Sequence, residues 1–217
     1  MNCIAGVFFP DKGSIRINGD DVTRMPEHIR ARYIGRVFQD PMKGTAAEMQ
    51  IAENLAMASR RGKPLSLRWS SSANQIEEFK ELLRELDLGL ENRLETRIGT
   101  LSGGQRQSIT LLMATLVRPK LLLLDEHTAA LDPKTAEKVL ELTQKRVSEG
   151  YLTTLMITHN MRDALRFGNR LIMMHEGRVV VDVGGEKKKN LTIQSLLELF
   201  EKASGAEFDN PEALLTP

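Results

Sequence analysis

Short apolar segments alternate with longer amphipathic segments along most of this chain. Residues 34–38, 121–124 and 153–158 are mostly apolar runs of strand length, and the run at 121–124 is four consecutive leucines. A strand without polar alternation is typical of a parallel sheet that is covered on both faces. Further predicted strands are 14–17, 171–174 and 179–183, the last two joined by the turn pair Glu176-Gly177. The pattern predicts an α/β fold, with a mainly parallel sheet and flanking helices.

Helical periodicity appears in three places. Residues 133–149 and 192–203 are amphipathic, and Asp132 and Asn190 are the predicted N-caps of these two helices. A third apolar stripe occurs in the middle of the chain, at helical spacing. Its members are Ile76, Phe79, Leu82, Leu83 and Leu86.

The middle of the chain differs in character from its two ends. Residues 44–117 show little strand pattern, which predicts a helical subdomain inserted into the α/β core. The core is then formed by residues 1–43 and 118–205, and residues 206–217 are expected to form a loose tail.

Composition narrows the class of protein. The 30 basic and 29 acidic residues leave a net charge of +1, which gives no basic surface for wrapping nucleic acid. The only cysteine, Cys3, is expected to be buried and excludes an intrachain disulfide. No apolar run approaches the ~20 residues needed to cross a bilayer, and the N-terminus lacks signal-peptide features. We therefore expect a cytosolic chain that reaches a membrane only through a partner.

One chemistry-bearing segment is the turn from Leu101 to Gln107. Ser102 is placed to cap the helix that follows, and Gly103 and Gly104 allow another backbone to approach closely. Free N–H groups and the positive end of a helix dipole favour an anion at such a turn.

Polar residues also follow the predicted strands. Asp125 and Glu126 end the leucine strand, where α/β proteins bind ligands. One carboxylate of such a pair suits Mg²⁺, and the other can take a proton from an attacking water. Gln39 and His159 also lie just past strand ends, although each is unremarkable alone.

Together these segments resemble the ABC ATPases. The matching segments are Val37 to Pro41 (the Q-loop), Leu101 to Gln107 (the signature sequence), Leu121 to Glu126 (the Walker B strand), Ala130 to Asp132 (the D-loop) and Ile157 to His159 (the switch histidine). All five occur in the family's order and spacing, and the resemblance runs from Met1 to about Gly185. The smaller segments around His127 and His159 resemble those of a bacterial importer subgroup associated with amino acids or related small solutes.

The resemblance implies a P-loop NTPase-like fold that binds ATP and Mg²⁺ between two subunits arranged head to tail. It implies that Asp125 and Gln39 hold Mg²⁺ and that Glu126 is the general base. It further implies that His159 grips the γ-phosphate and that Asp132 communicates across the dimer. The residues implied at the γ-phosphate of the opposing subunit are Ser102, Gly103, Gly104 and Gln105.

The resemblance also implies partners. These are a membrane permease that docks on the helical subdomain, a second ATPase subunit forming a homodimer, and a substrate-binding protein, with no nucleic acid. The implied location is the cytoplasmic face of the cell membrane, where the permease holds the chain.

The family's phosphate-binding loop, G-x-x-x-x-G-K-[ST], does not occur in this sequence. The strands that precede that loop in the family are also missing, and Met1 resembles an internal methionine just past the loop's lysine. We expect a shortened reading frame whose product alone hydrolyses ATP negligibly, because the loop supplies N–H groups, a lysine and a hydroxyl to the phosphates.

Three alternatives share part of the pattern. A DNA-repair or chromosome-type ABC ATPase would have long heptads between Gln39 and Ser102, and these are absent. A translation-associated ABC protein would carry two cassettes, and this chain has one. A non-catalytic regulatory subunit fits the missing loop, although it would not need Glu126 and His159.

Overall fold

A computed structural model describes residues 1–63 and 72–204 of the chain. The chain divides into two compact units, Met1–Met156 and Ile157–Pro217. The helices are α1 (Asn2–Ala5), α2 (Glu27–Arg30), α3 (Ile51–Ser59), α4 (Ala73–Arg84), α5 (Gly103–Leu116), α6 (Pro133–Glu149), α7 (Met161–Arg166), α8 (Gly185–Lys189) and α9 (Ile193–Ser204). The strands are β1 (Arg16–Ile17), β2 (Asp20–Asp21), β3 (Ile34–Val37), β4 (Leu121–Asp125), β5 (Thr154–Ile157), β6 (Arg170–His175) and β7 (Arg178–Gly184).

The leucine strand β4 is the centre of a three-stranded sheet in the order β3-β4-β5. It runs parallel to β3, with Leu121 opposite Ile34. Leu122 and Leu124 pack with residues of α5, whereas Leu123 faces the opposite cluster with Ala5 and Ile17. Both faces of the strand are therefore covered, and the predicted α/β architecture is confirmed.

A buried arginine organises the first thirty residues. Arg30, at the end of α2, is fully buried and donates from its guanidinium to four backbone carbonyls. The acceptors are Met25 O at 2.8 Å, Cys3 O at 2.6 Å, Ile4 O at 2.9 Å and Thr23 O at 2.9 Å. These bonds tie α1 to the segment that follows the β1–β2 hairpin. The hairpin itself turns at Asn18 and Gly19, both at positive φ, as the predicted turn requires.

The middle of the chain is helical, with its own buried cluster. Among the described residues, its buried members lie between residues 51 and 112 and include Leu55 of α3, Phe79 of α4 and Ile109 of α5. The predicted apolar stripe is confirmed in α4, where Phe79 and Leu83 are buried. The division into core and helical subdomain remains a prediction, and the predicted tail at 206–217 lies outside the described residues.

Helix α6 spans Pro133–Glu149, as the sequence predicts, and Asp132 caps it by accepting a hydrogen bond from Thr135 N at 3.1 Å. In the second unit, β6 and β7 form the predicted hairpin, from Arg170 opposite Gly184 to His175 opposite Arg178. Leu171 and Val181 of this hairpin pack with Leu196 and Leu197 of α9.

Two local predictions are wrong. Asn190 does not cap the last helix, because its amide donates to Glu186 O at 3.1 Å at the end of α8. Helix α9 begins at Ile193 instead, and Thr192 Oγ1 accepts from Ser195 N at 3.1 Å. Cys3 is exposed rather than buried, because α1 turns its Ala5 side toward the core.

Within 1–63 and 72–204, no helix is both long enough and apolar enough to cross a membrane.

Candidate nucleotide site

Two of the predicted site residues line one cleft at the carboxyl end of the sheet. Asp125 is the last residue of β4, and Gln39 follows the end of β3 by two residues. Parallel strands end at the same edge of a sheet, which explains why both residues line this cleft. The cleft has a volume of about 590 Å³. Its other lining residues include Asn2, Arg36, Phe38, Asp40 and Lys43.

The Asp125 carboxylate is paired with an arginine that sequence reasoning missed. Arg36 of β3 donates from Nη2 to Asp125 Oδ2 at 3.2 Å and to Asn2 Oδ1 at 2.7 Å. Its guanidinium carbon lies 4.5 Å from the centre of the Phe38 ring. The arginine side chain is only 13% exposed and the aspartate side chain 33%. The available sequence signal was a charged residue inside an otherwise apolar strand.

The cleft's donor set fits Mg²⁺. Magnesium prefers oxygen ligands and usually takes one or two from the protein, with water and phosphate oxygens completing its shell. Asp125 supplies a carboxylate and Gln39 an amide oxygen at the same cleft. Among the described residues, no group of three or more His, Cys, Asp or Glu could hold a metal, so a denser all-protein site does not occur there.

Glu126 has a strained backbone. Its φ is 44°, and only five non-glycine residues of the described ranges have positive φ. A left-handed conformation costs about 1–2 kcal/mol for a residue with a Cβ. Such strain persists where the surrounding structure enforces it, often at functional sites. Here the turn directly follows the buried strand and is closed by Ala129 N donating to Glu126 O at 3.0 Å.

The signature turn forms a reciprocal cap at the start of α5. Ser102 Oγ accepts from Gln105 N at 3.3 Å, and Gln105 Oε1 accepts from Ser102 N at 3.2 Å. Ser102 and Gly103 are exposed, whereas Gly104 is buried. The first turn of α5 is therefore fixed by this cap and partly exposed. The N–H groups at such a helix start can bind an anion.

Gly104 is buried against the start of α6. A Cβ at Gly104 would lie closer than 3.0 Å to Thr135 Cγ2, and one at Gly103 would lie 3.4 Å from Leu131 Cδ2. The signature turn thus packs on the segment that contains Asp132. Asp132 itself is exposed, and hydrogen bonds from Thr135 hold the pKa of its carboxyl below the ordinary value.

His159 belongs to the second unit, two residues beyond β5, and it is exposed. The segment around it is ordered by short-range bonds. Asn160 N donates to Thr158 Oγ1 at 3.0 Å, and Asn160 Oδ1 accepts from Arg162 N at 2.9 Å to begin α7.

The sequence matches the ABC transporter family over residues 1–129. This chain belongs to the ABC transporter family. It is 46% identical to the tyrosine transport ATP-binding protein of Clostridioides difficile (strain R20291) over 203 residues, which are 94% of this chain and 80% of that relative.

A second relative of this ABC ATPase is the sulfate/thiosulfate import ATP-binding protein of Bacillus cereus (strain ATCC 10987 / NRS 248). The identity is 37% over 82% of this chain, and the chain spans about half of that protein's length, 48%. A solved ATP-binding cassette of an ABC transporter superimposes with a TM-score of 0.72 at 25% identity, over 92% of this chain and 80% of the cassette. The class is therefore that of the ATP-binding ATPases of ABC transporters.

The last residue of the signature segment, Gln107, has a buried position that the sequence analysis did not predict. Gln107 is fully buried on α5, and its amide Nε2 donates to Phe38 O at 3.0 Å and to His127 O at 2.6 Å. The sequence signal would have been a glutamine on the apolar face of α5, one turn before Leu111.

His127, which the sequence analysis mentions only for its importer-like segment, is likewise buried. Its Nε2 lies 3.0 Å from Thr143 Oγ1, which donates its own proton to Val139 O at 2.7 Å. Thr143 therefore accepts from His127, which fixes the neutral Nε2–H tautomer. Burial lowers the pKa of His127 to about 4.

Proposed function

We propose that this chain is the subunit that binds and hydrolyses ATP to drive an ABC importer of small solutes. The observation that carries the proposal is the set of polar groups at one sheet edge. Asp125 and Gln39 line the same cleft, and Glu126 follows directly on a strained turn. Relatives that are named as import ATP-binding proteins support uptake as the direction of transport.

Each residue has a chemical role in this proposal. Asp125 and Gln39 would hold Mg²⁺, which when bound neutralises charge on the phosphate oxygens of ATP. Glu126 would take a proton from the attacking water, and His159 would orient that water at the γ-phosphate.

The signature turn acts on the opposing subunit. Its backbone N–H groups, together with the side chains of Ser102 and Gln105, would contact the γ-phosphate held by a second copy. Asp132, on the segment packed under this turn, would carry contacts across the dimer. Ser102 and Gly103 are exposed, which the proposed role requires.

The proposed partners are a second copy of this chain, a membrane permease and a substrate-binding protein. We place the chain at the cytoplasmic face of the membrane, held there by the permease. The 46% identical relative is named for tyrosine transport, which favours an amino acid as the solute. Uptake of labelled tyrosine and of labelled sulfate is measured in cells with and without the gene. Loss of tyrosine uptake alone indicates an amino-acid importer, and loss of sulfate uptake alone indicates an importer of inorganic anions.

The test of the catalytic proposal is ATP hydrolysis in two forms of the protein. We expect the 217-residue chain alone to hydrolyse ATP negligibly, because its sequence contains no phosphate-binding loop. In a form with such a loop fused ahead of Met1, Glu126→Gln should lower turnover about 10²–10⁴-fold while ATP binding persists. Glu137→Gln, on the first turns of α6, is the matched control. Equal turnover in the Glu126→Gln and parent forms would remove Glu126 from the base role.

A further inference from the structure

The buried amide of Gln107 connects three segments that are far apart in sequence. Gln107 lies on α5, five residues after Ser102 of the signature turn. Both of its hydrogen bonds go to backbone carbonyls outside the helix, Phe38 O at 3.0 Å and His127 O at 2.6 Å. Phe38 immediately precedes Gln39, and His127 immediately follows Glu126. One side chain therefore holds the peptide that joins Phe38 to Gln39 and the carbonyl of the residue that follows Glu126.

This arrangement is costly for a residue that only fills space. Gln107 is fully buried, and within the described residues its Oε1 has no hydrogen-bond partner. A buried polar atom left unpaired is unfavourable, so an apolar side chain of similar size would pack there at lower cost. What an apolar side chain cannot do is donate to two carbonyls at once.

Neighbouring contacts strengthen the connection from the same helix. Arg106 donates to Gly99 O at 2.8 Å and to Leu101 O at 3.1 Å, and it also contacts Met42 Sδ. A Cβ at Gly44 would approach Thr110 Cγ2 within 3.0 Å, so the segment after Gln39 packs closely on α5. The His127 side chain extends the connection to α6 through Thr143.

We propose that Gln107 is a positioning residue that holds the Gln39 and Glu126 segments in one fixed arrangement with the signature helix. Through it, a displacement of the signature turn is transmitted to the residues that prepare the attacking water. The proposal rests on the proposed function for its catalytic consequence, but the physical connection can be tested without catalysis.

The first experiment measures amide hydrogen exchange on the full 217-residue chain. Gln107→Leu removes both donors at nearly constant volume. We expect exchange of the Lys43 and Ala129 amides, which close the turns beside Gln39 and Glu126, to accelerate about tenfold. Thr115→Val is the matched control, since within the described part of the chain the Thr115 hydroxyl bonds to Leu111 O and Leu112 O of its own helix. If Gln107→Leu does not fold, Gln107→Met replaces it with the same expectation.

A merely structural glutamine would give a different pattern. Replacing it would then accelerate exchange equally across α5 and β4, or would leave exchange in both turns unchanged. Either result would overturn the proposal. Selective acceleration at the two turns, absent in Thr115→Val, supports it.

The second experiment uses the form with a phosphate-binding loop fused ahead of Met1. Gln107→Leu should lower kcat about tenfold and leave the KM for ATP within about twofold. Combined with Glu126→Gln it should add little further loss, because both changes act on one step. A change in KM alone, or full additivity, contradicts positioning. If Glu126→Gln itself has no effect, the proposed function fails, whereas the exchange result still decides the connection.

Discussion

The contact between the signature turn and α6 makes a quantitative prediction about Gly104. In Gly104→Ala the new Cβ would lie closer than 3.0 Å to the Thr135 methyl, a distance that real Cβ atoms essentially never show. Thr135 cannot rotate freely to relieve the clash, because its hydroxyl bonds Asp132. Overpacking of this kind costs about 1–3 kcal/mol. The better helix propensity of alanine returns at most about 1 kcal/mol. We therefore expect a net loss of about 1–2 kcal/mol in the free energy of unfolding.

The assay is urea unfolding followed by circular dichroism at 222 nm, with two comparison variants. Gly103→Ala is the matched control, because its Cβ would meet only Leu131 Cδ2 at the ordinary distance of 3.4 Å. Thr135→Ser removes the methyl, so Gly104→Ala combined with Thr135→Ser should recover about 1 kcal/mol or more relative to additivity. Equal stability of Gly104→Ala and Gly103→Ala, or no recovery in the double variant, would refute the close contact.

Two further predictions concern other buried groups of the first unit. Arg30→Met should cost about 3–5 kcal/mol of unfolding free energy, because it leaves four backbone carbonyls without the charged donor that is buried among them. The same change at exposed Arg32 should cost less than about 1 kcal/mol in the same urea assay. Equal losses would contradict the proposed role of Arg30. Burial lowers the pKa of His127 from 6.5 to about 4 in the folded protein. As pH drops, the unfolded chain therefore protonates this histidine before the folded protein does. The free energy of unfolding should fall by about 3 kcal/mol between pH 6.5 and pH 4. Urea midpoints measured across that range in EDTA, for the parent and for His127→Gln, test this, and an equally steep loss in His127→Gln would contradict it.

Local patterning accounted for elements whose signals lie within a few residues of each other. Helix α6 follows from Asp132 as cap, Pro133 at the first position and an amphipathic stripe, and its bounds match the prediction. Strand β4 follows from four consecutive leucines, because a strand that is covered on both faces accommodates such a run. The placement of Asp125 and Gln39 at one edge also follows from parallel pairing.

Local rules gave the wrong result where two residues competed for one role. Asn190 and Thr192 are both good caps, and the choice between them depends on where α8 ends. The amide of Asn190 is used by the preceding helix, so Thr192 is left to begin α9. A sequence pattern contains both signals and does not rank them.

The contacts that define the candidate site join residues distant in sequence, and these could not be read from the chain. Arg36 meets Asp125 across 89 positions, and Gln107 reaches Phe38 across 69. Periodicity states which face of an element is apolar, but it does not state which partner a buried polar group will find. That partner is decided by strand order, helix packing and the requirement that buried donors and acceptors be satisfied. The types of residue and their places along the elements are thus a property of the sequence, whereas the connections among them arise only when the sheet and its helices are packed.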